Sequence, residues 1–204
     1  FDYIGEPTPY HTRNSYFGQI DTAGFPKDSY YLYQAAWIDR REKPVVHVFP
    51  YWDFNPGQLI DVRIASNADV VELLVNGVSK GRQRINHTGE SKLTGDYRIA
   101  YEKGEITAVA YDENLKEIAR ETRSSFGEPV RLILTQYEPE RTLFAGTGDM
   151  AFFTVVAVDE ADHPVENANN RIEVSVEGAG WLTGLDNGDS TDMDEYKGRS
   201  RRLF

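Results

Sequence analysis

The sequence predicts a mainly β protein: two immunoglobulin-like sandwiches in tandem, preceded by a short loop and helix. Three observations carry this. Short apolar–polar alternations recur with a period of two, which puts every second side chain on one face of a strand. About seven such runs fit within roughly 80 residues, the density of an immunoglobulin-like sandwich. Only one segment carries a convincing helical stripe.

The first stretch runs from Phe1 to about Lys43. It opens with Gly5-Glu6-Pro7-Thr8-Pro9-Tyr10, where two prolines forbid regular structure. A second turn region covers Ala23-Gly24-Phe25-Pro26-Lys27-Asp28. The run from Asp28 to Ile38 then reads as a helix, with Asp28 or Ser29 placed to cap its free N–H groups. Tyr30, Tyr33 and Trp37 fall at i, i+3 and i+7 and form one aromatic stripe. One helix cannot bury a core of its own. The stripe is therefore expected to pack on the following domain or on something upstream.

The second stretch spans residues 44–126. Ile60, Val62 and Ile64 alternate with Asp61 and Arg63, and Val71, Leu73 and Val75 continue the pattern. Asn76-Gly77 follows as a hairpin turn, because both residues tolerate positive φ. Further strands are expected at Gly81–Ile85, Tyr97–Tyr101, Ile106–Tyr111 and Glu117–Arg123, with Asp112-Glu113-Asn114 turning between the last two. Gly127-Glu128-Pro129 reads as a hinge into a third stretch, 127–204. Strands are expected there at Val130–Leu134, Phe152–Val158 and Ile172–Val176, joined through turn-rich Asp159–Pro164 and Asn167–Asn170. Four or five strands fit, against about seven in a closed sandwich. This second sandwich is expected to be incomplete at its C-terminus, with an open sheet edge.

Composition narrows the function classes. The 204 residues include 22 Lys+Arg and 33 Asp+Glu, a formal charge of −11. Such a surface repels phosphate backbones, which argues against nucleic acid as a partner; neutral ligands such as sugars remain compatible. There is no Cys, which removes disulfides and thiolate chemistry. No apolar run approaches the roughly 20 residues that span a bilayer, so no membrane partner is expected. The first residue is Phe, and the last four, Arg201-Arg202-Leu203-Phe204, read as the start of a strand. Both ends lead us to expect a piece of a longer polypeptide.

Two long strings carry a resemblance. Phe1-Asp2-Tyr3-Ile4-Gly5-Glu6-Pro7-Thr8-Pro9-Tyr10 resembles the end of the last barrel strand, and the loop after it, in glycoside hydrolase family two of the β-galactosidase type. Ser15-Tyr16-Phe17-Gly18 and the run from Ile20 to Tyr31 resemble the following loop and the final barrel helix. Pro50-Tyr51-Trp52 with Val71-Glu72-Leu73-Leu74-Val75-Asn76-Gly77 resembles the sandwich after the barrel. Leu185-Asp186-Asn187-Gly188-Asp189 and Tyr196-Lys197-Gly198 resemble the next Ig-like domain. The resemblance implies that residues 1–43 are a remnant of a (β/α)8 barrel. It implies a retaining exo-glycosidase that hydrolyses terminal β-galactosides, with two glutamates about 5–5.5 Å apart. Those glutamates come from earlier barrel strands and have no counterpart here, so no catalytic residue is expected in this chain and no turnover by it alone. Its domains would buttress the barrel, shape the pocket rim and support a homo-oligomer. The carbohydrate substrate would bind through the barrel, without a cofactor, in an extracytoplasmic (periplasmic or secreted) enzyme. A free-standing carbohydrate-binding or adhesive Ig-like module is the alternative.

Within this frame Asp2, Tyr3 and Glu6 are the candidate substrate-binding residues, since barrel sites are built at the C-terminal ends of strands. The plainer role for Glu6 is to hold its loop through backbone N–H groups or Arg13. Tyr51, Trp52 and Phe54 are candidates for stacking on a sugar ring or for packing between sandwich and barrel, and packing is the favoured reading. The run from Asp186 to Glu195 is rich in oxygen ligands of the kind Ca²⁺ prefers, with Asp186, Asp189, Asp192 and Asp194 as candidates. It lacks the EF-hand spacing, and a solvated acidic loop is the favoured reading. His11, His47, His87 and His163 show no metal spacing. Asn86-His87-Thr88 fits a glycosylation sequon. No phosphate-binding glycine loop and no catalytic Ser/His/Asp spacing stands out.

Overall fold

The computed structural model describes residues 1–6, 11–87 and 93–204. The chain begins with an irregular segment in which the Asp2 N–H donates to the Ile20 carbonyl and the Tyr3 N–H donates to Ser15 Oγ. Helix α1 follows at Asp28–Trp37. Seven strands come next: β1 (Val46–Phe49), β2 (Leu59–Ser66), β3 (Val70–Val75), β4 (Val78–Arg84), β5 (Thr94–Ala100), β6 (Glu105–Tyr111) and β7 (Glu117–Ser124). Four more complete the order: β8 (Arg131–Gln136), β9 (Phe153–Val158), β10 (Arg171–Glu173) and β11 (Ser200–Arg202).

The seven strands of residues 46–124 form the sandwich that their alternation predicts. One sheet has the order β1-β2-β5 and the other β4-β3-β6-β7, with every neighbouring pair antiparallel. Ile60, Val62 and Ile64 of β2 point inward and meet Val71, Leu73 and Val75 of β3 in one core, with Val48, Ile106 and Ala108 around them. Val62 lies opposite Tyr97 and Leu73 opposite Ala108. A one-residue slip would turn each apolar row to solvent, so the alternation itself fixes this register. Asn76 and Gly77 both have positive φ, 50° and 77°, and close the β3–β4 hairpin as expected. At the β6–β7 turn Asp112 Oδ1 accepts the N–H groups of Asn114 and Lys116.

Three local expectations need correction. The N-cap of α1 is Lys27, with no side-chain cap. Asp28 is drawn away, and its Oδ1 lies 2.9 Å from His47 Nε2. Nor does the Tyr30–Tyr33–Trp37 stripe dock on the sandwich. Tyr33 and Trp37 are exposed and pack edge to face on each other, while Tyr31 and the buried Ala35 face the domain. The strand expected at Ile172–Val176 is shorter: Arg171–Glu173 pairs with β11, and beyond it the Val174 N–H donates to the Arg199 carbonyl at 2.8 Å.

In residues 127–204 the described residues form two two-stranded pieces, β8–β9 and β10–β11. Leu132 and Leu134 on one face of β8 and Ile133 on the other are all exposed. A small core of Phe126, Ala157, Val165 and Ala168 joins this part to the sandwich, with Tyr51 and Leu203 packed against it. Gly127, read as a hinge, is tied down: its N–H donates to Asp159 Oδ2 at 2.8 Å. No helix among the described residues is long and apolar enough to cross a membrane.

Candidate functional site

The N-terminal turn is built around Asp2. Its carboxylate is buried, accepts from Lys27 Nζ at 2.6 Å and from the Gly18 N–H at 2.8 Å, and so closes the loop 2–27. Lys27 Nζ also donates to the Tyr16 carbonyl at 2.8 Å. Asp2 thus acts as an anchor, while Tyr3 and Glu6 beside it are exposed. Pro7, Thr8, Pro9 and Tyr10, the rest of the loop expected at the rim, lie outside the described residues. Thr88 of the sequon does too.

Arg13, expected near Glu6, reaches a different partner. Its guanidinium lies 3.9 Å from the centre of the Tyr196 ring and donates to the Asp194 carbonyl, and its N–H donates to the Ser190 carbonyl at 2.7 Å. Arg201 approaches the same ring at 5.2 Å. The guanidiniums of Arg13 and Arg201 therefore share one aromatic ring, a contact favoured by the ring quadrupole. This brings the acidic loop of residues 186–195 against the N-terminal turn. Gly188 (φ 75°) sits so close to Asp21 that a Cβ there would collide with its carboxylate. Burial leads the causes that raise the Asp21 carboxyl above its ordinary range, with Asp186 adding repulsion against the backbone N–H groups of Phe25, Ala23 and Gly24. Gly188→Ala is expected to cost about 1–3 kcal/mol through the left-handed backbone alone. Faster proteolysis at residues 186–196 would show it, and wild-type resistance would contradict the contact.

The candidate cation ligands are engaged elsewhere. Asp186 Oδ1 accepts from the Gly188 N–H, and Asp189 Oδ1 from the Thr191 N–H and hydroxyl. Asp192 pairs with the buried Arg201 at 3.0 Å and accepts from Asn187 Nδ2 at 2.8 Å. Asp194 pairs with Arg171 at 2.8 Å. Among the described residues no three His, Asp or Glu side chains group as a metal site. The loop is held by arginines and backbone amides, which its composition alone does not reveal.

The aromatic trio separates. Trp52 is fully buried in the sandwich core, where Nε1 donates to the Glu102 carbonyl at 3.1 Å and the ring packs edge-on to Tyr101. Phe54 packs against that core, and Tyr51 stacks on Phe54 and leans on Phe126 at the junction with the last stretch. A sugar approaching this loop would meet Tyr51 and Phe54, with Trp52 out of reach.

Sequence reasoning missed a polar cluster at the meeting of the three stretches. A cleft of about 490 Å³ is lined by Lys27, Asp28, Tyr31, His47, Arg123 and Glu166, among others. Buried His47 lies between Asp28 and Glu121 Oε1, the latter 3.2 Å from Nδ1. The Tyr31 ring stacks on it at 3.7 Å and Phe49 at 5.7 Å. Arg123 pairs with Glu166 at 2.8 Å. The available signal was the polar residue inside Val46-His47-Val48, which the alternation turns away from the core.

Comparison with known proteins identifies the architecture. Residues 57–119 match a domain of unknown function (DUF4982), and residues 136–204 match glycoside hydrolase family 2 C-terminal domain 5. The β-galactosidase BoGH2A of Bacteroides ovatus is 41% identical over all of this chain, which covers 23% of that protein. Residues 136–204 thus carry a C-terminal domain of glycoside hydrolase family 2, and the whole chain is similar to the C-terminal part of enzymes of that family. A crystal structure of a β-glycosidase from Bacteroides vulgatus superposes on this family 2 region with a TM-score of 0.90 at 32% identity, covering all of this chain and 25% of that one. A β-glucuronidase of Formosa agariphila is 29% identical over 84% of this chain, which spans 17% of it. The chain therefore spans about a quarter, or less, of the relatives it matches.

Proposed function

We propose that this chain is the accessory C-terminal region of a retaining β-galactosidase of glycoside hydrolase family 2. The observation that carries the reading is the 41% identity, across the whole chain, to a protein named as a β-galactosidase. The paired glutamates that a retaining mechanism requires lie in a barrel outside these 204 residues. What the chain supplies is support: a sandwich, a turn anchored by Asp2 and Lys27, and an acidic loop pinned to that turn by Arg13, Tyr196 and Arg201. Tyr3 and Glu6 are exposed on the turn and are the candidates there for contact with a sugar in the full-length protein. The full-length protein is expected outside the cytoplasm, a reading supported only by the fit between appended Ig-like domains and a polysaccharide substrate; recovery in the cytoplasmic fraction on cell fractionation would contradict it.

The substrate test is a comparison of aryl β-galactoside and aryl β-glucuronide on the full-length protein. The galactoside is expected to have the larger kcat/KM by at least about 100-fold, the order of discrimination set by a few polar contacts. A larger value for the glucuronide would overturn the galactosidase assignment while leaving the family placement intact.

A further inference from the structure

The first 43 residues touch the sandwich at two places, and the two differ in kind. At the C-terminal end of α1 the fastening is a side-chain amide and an arginine with two carboxylates, with no histidine among them. Asn67 Nδ2 donates to the carbonyls of Ile38 and Lys43, and Arg40 pairs with Asp69 and Glu113. At its N-terminal end the fastening is the buried His47 cluster. Between these points only Ala35 of the helix is fully buried.

The geometry around His47 specifies its charge state. Nε2 faces Asp28 Oδ1 at 2.9 Å and Nδ1 faces Glu121 Oε1 at 3.2 Å. A neutral imidazole carries one N–H, so its bare nitrogen would face a carboxylate anion; an imidazolium donates to both. Asp28 is followed back along the chain by Lys27, which holds Asp2. The order His47, Asp28, Lys27, Asp2 therefore runs without a break from the sandwich to the N-terminal turn.

We propose that His47 is a positioning residue and the core of a pH-sensitive latch. As an imidazolium it clamps the start of α1, and with it the Asp2 turn, onto the sandwich, and it releases them on losing its proton. None of these groups belongs to the proposed catalytic pair, so the latch stands whether or not the full-length protein is a galactosidase.

The groups facing His47 come from every element packed on it. They are Asp28 and Tyr31 on α1, with Tyr30 behind, Glu121 and Arg123 on β7, and Glu166 from the last stretch, with Lys27 at the mouth of the cleft. Burial alone would lower the imidazole pKa, and Arg123 works in the same direction. The hydrogen bonds to Asp28 and Glu121 outweigh both and raise it. A raised folded pKa means the clamp is fully present below the ordinary imidazole value of about 6.5 and is lost as pH rises through the folded value. Burial is the leading cause that raises the Glu166 carboxyl, with Asp28 and Glu121 adding to it and Arg123 and His47 opposing it, and Arg123 is its ion-pair partner.

The test is amide hydrogen exchange of the full chain from about pH 6 to pH 9, corrected for intrinsic rates, around the ordinary imidazole value. Above that value the opening constant of the Asp28–Tyr31 amides is expected to rise by up to about tenfold per pH unit, the slope of one released proton. Amides near Ile38 should stay flat. His47→Gln should be open at every pH with no slope. If that variant fails to fold, Glu121→Gln keeps the shape and removes one charge, so release should move to lower pH. Glu166→Gln should leave the slope unchanged. Opening that is independent of pH in wild type, a single protonated ring nitrogen at about pH 6, below the ordinary imidazole value, by NMR of the imidazole, or an unmoved release in Glu121→Gln would each overturn the latch.

Discussion

Trp52→Ala is expected to cost about 3–5 kcal/mol, the range for deleting a large aromatic from a packed core. Trp52 is wholly inaccessible, sits between the two sheets with Tyr101 and Phe54 against it, and satisfies its indole N–H on the Glu102 carbonyl. Removal leaves a cavity and an unpaired carbonyl together. The paired control is Trp181→Ala. Trp181 is 82% exposed, so its loss should stay within about 0.5 kcal/mol. Urea unfolding followed by far-UV circular dichroism reads both without relying on tryptophan emission. Equal losses from the two variants would contradict the placement of Trp52 in the core.

The second large effect is at the acidic loop. Asp192→Ala is expected to cost about 3–5 kcal/mol locally, because it leaves the Arg201 guanidinium buried without its carboxylate. Both side chains are nearly inaccessible, at 3% for Arg201 and 9% for Asp192. Asn187 loses an acceptor in the same step. The loop is held on the N-terminal turn by the stack of Arg13 and Arg201 on Tyr196, so the damage should appear as faster exchange at residues 186–202. The double variant Asp192→Leu with Arg201→Met should lose much less than Asp192→Ala, since it leaves no lone buried charge. A single variant as stable as wild type would contradict the burial of the pair.

What could be read in the sequence, and what could not, follows from the range of the interactions. Ile60, Val62 and Ile64 declare their strand because period two is local, and Asn76-Gly77 declares its turn because positive φ is a property of the residues themselves. Asp28 read as a cap for the same local reason. It lost that role to His47, a partner 19 positions away that no local pattern indicates. Of the two packings expected for the aromatic stripe, the one on the sandwich is not found: α1 carries aromatic residues on several sides, stripe spacing cannot tell which one a neighbour selects, and the sandwich selected Tyr31 with Ala35. Trp52 read as a packed aromatic at the edge of the sandwich because it lies in a Pro- and Gly-containing loop; that loop turns it further inward, into the sandwich core itself. Val174 and Val176 alternate like a strand, yet the regular ladder covers Arg171–Glu173 with one further bond from the Val174 N–H to Arg199, because a strand needs a neighbour as well as a pattern. The Arg13–Tyr196–Arg201 stack joins residues nearly the whole chain apart and left no sequence signal.

The most direct test of the central claim is turnover of an aryl β-galactoside by the purified 204-residue chain beside the full-length protein. Full-length protein should hydrolyse it at an ordinary enzymatic rate, on the order of 1–1000 per second. On the proposed assignment the chain alone should show none above background, the carboxylate pair that a retaining mechanism requires being supplied by the rest of the protein. Robust turnover by the chain that survives repurification would contradict its assignment as an accessory region.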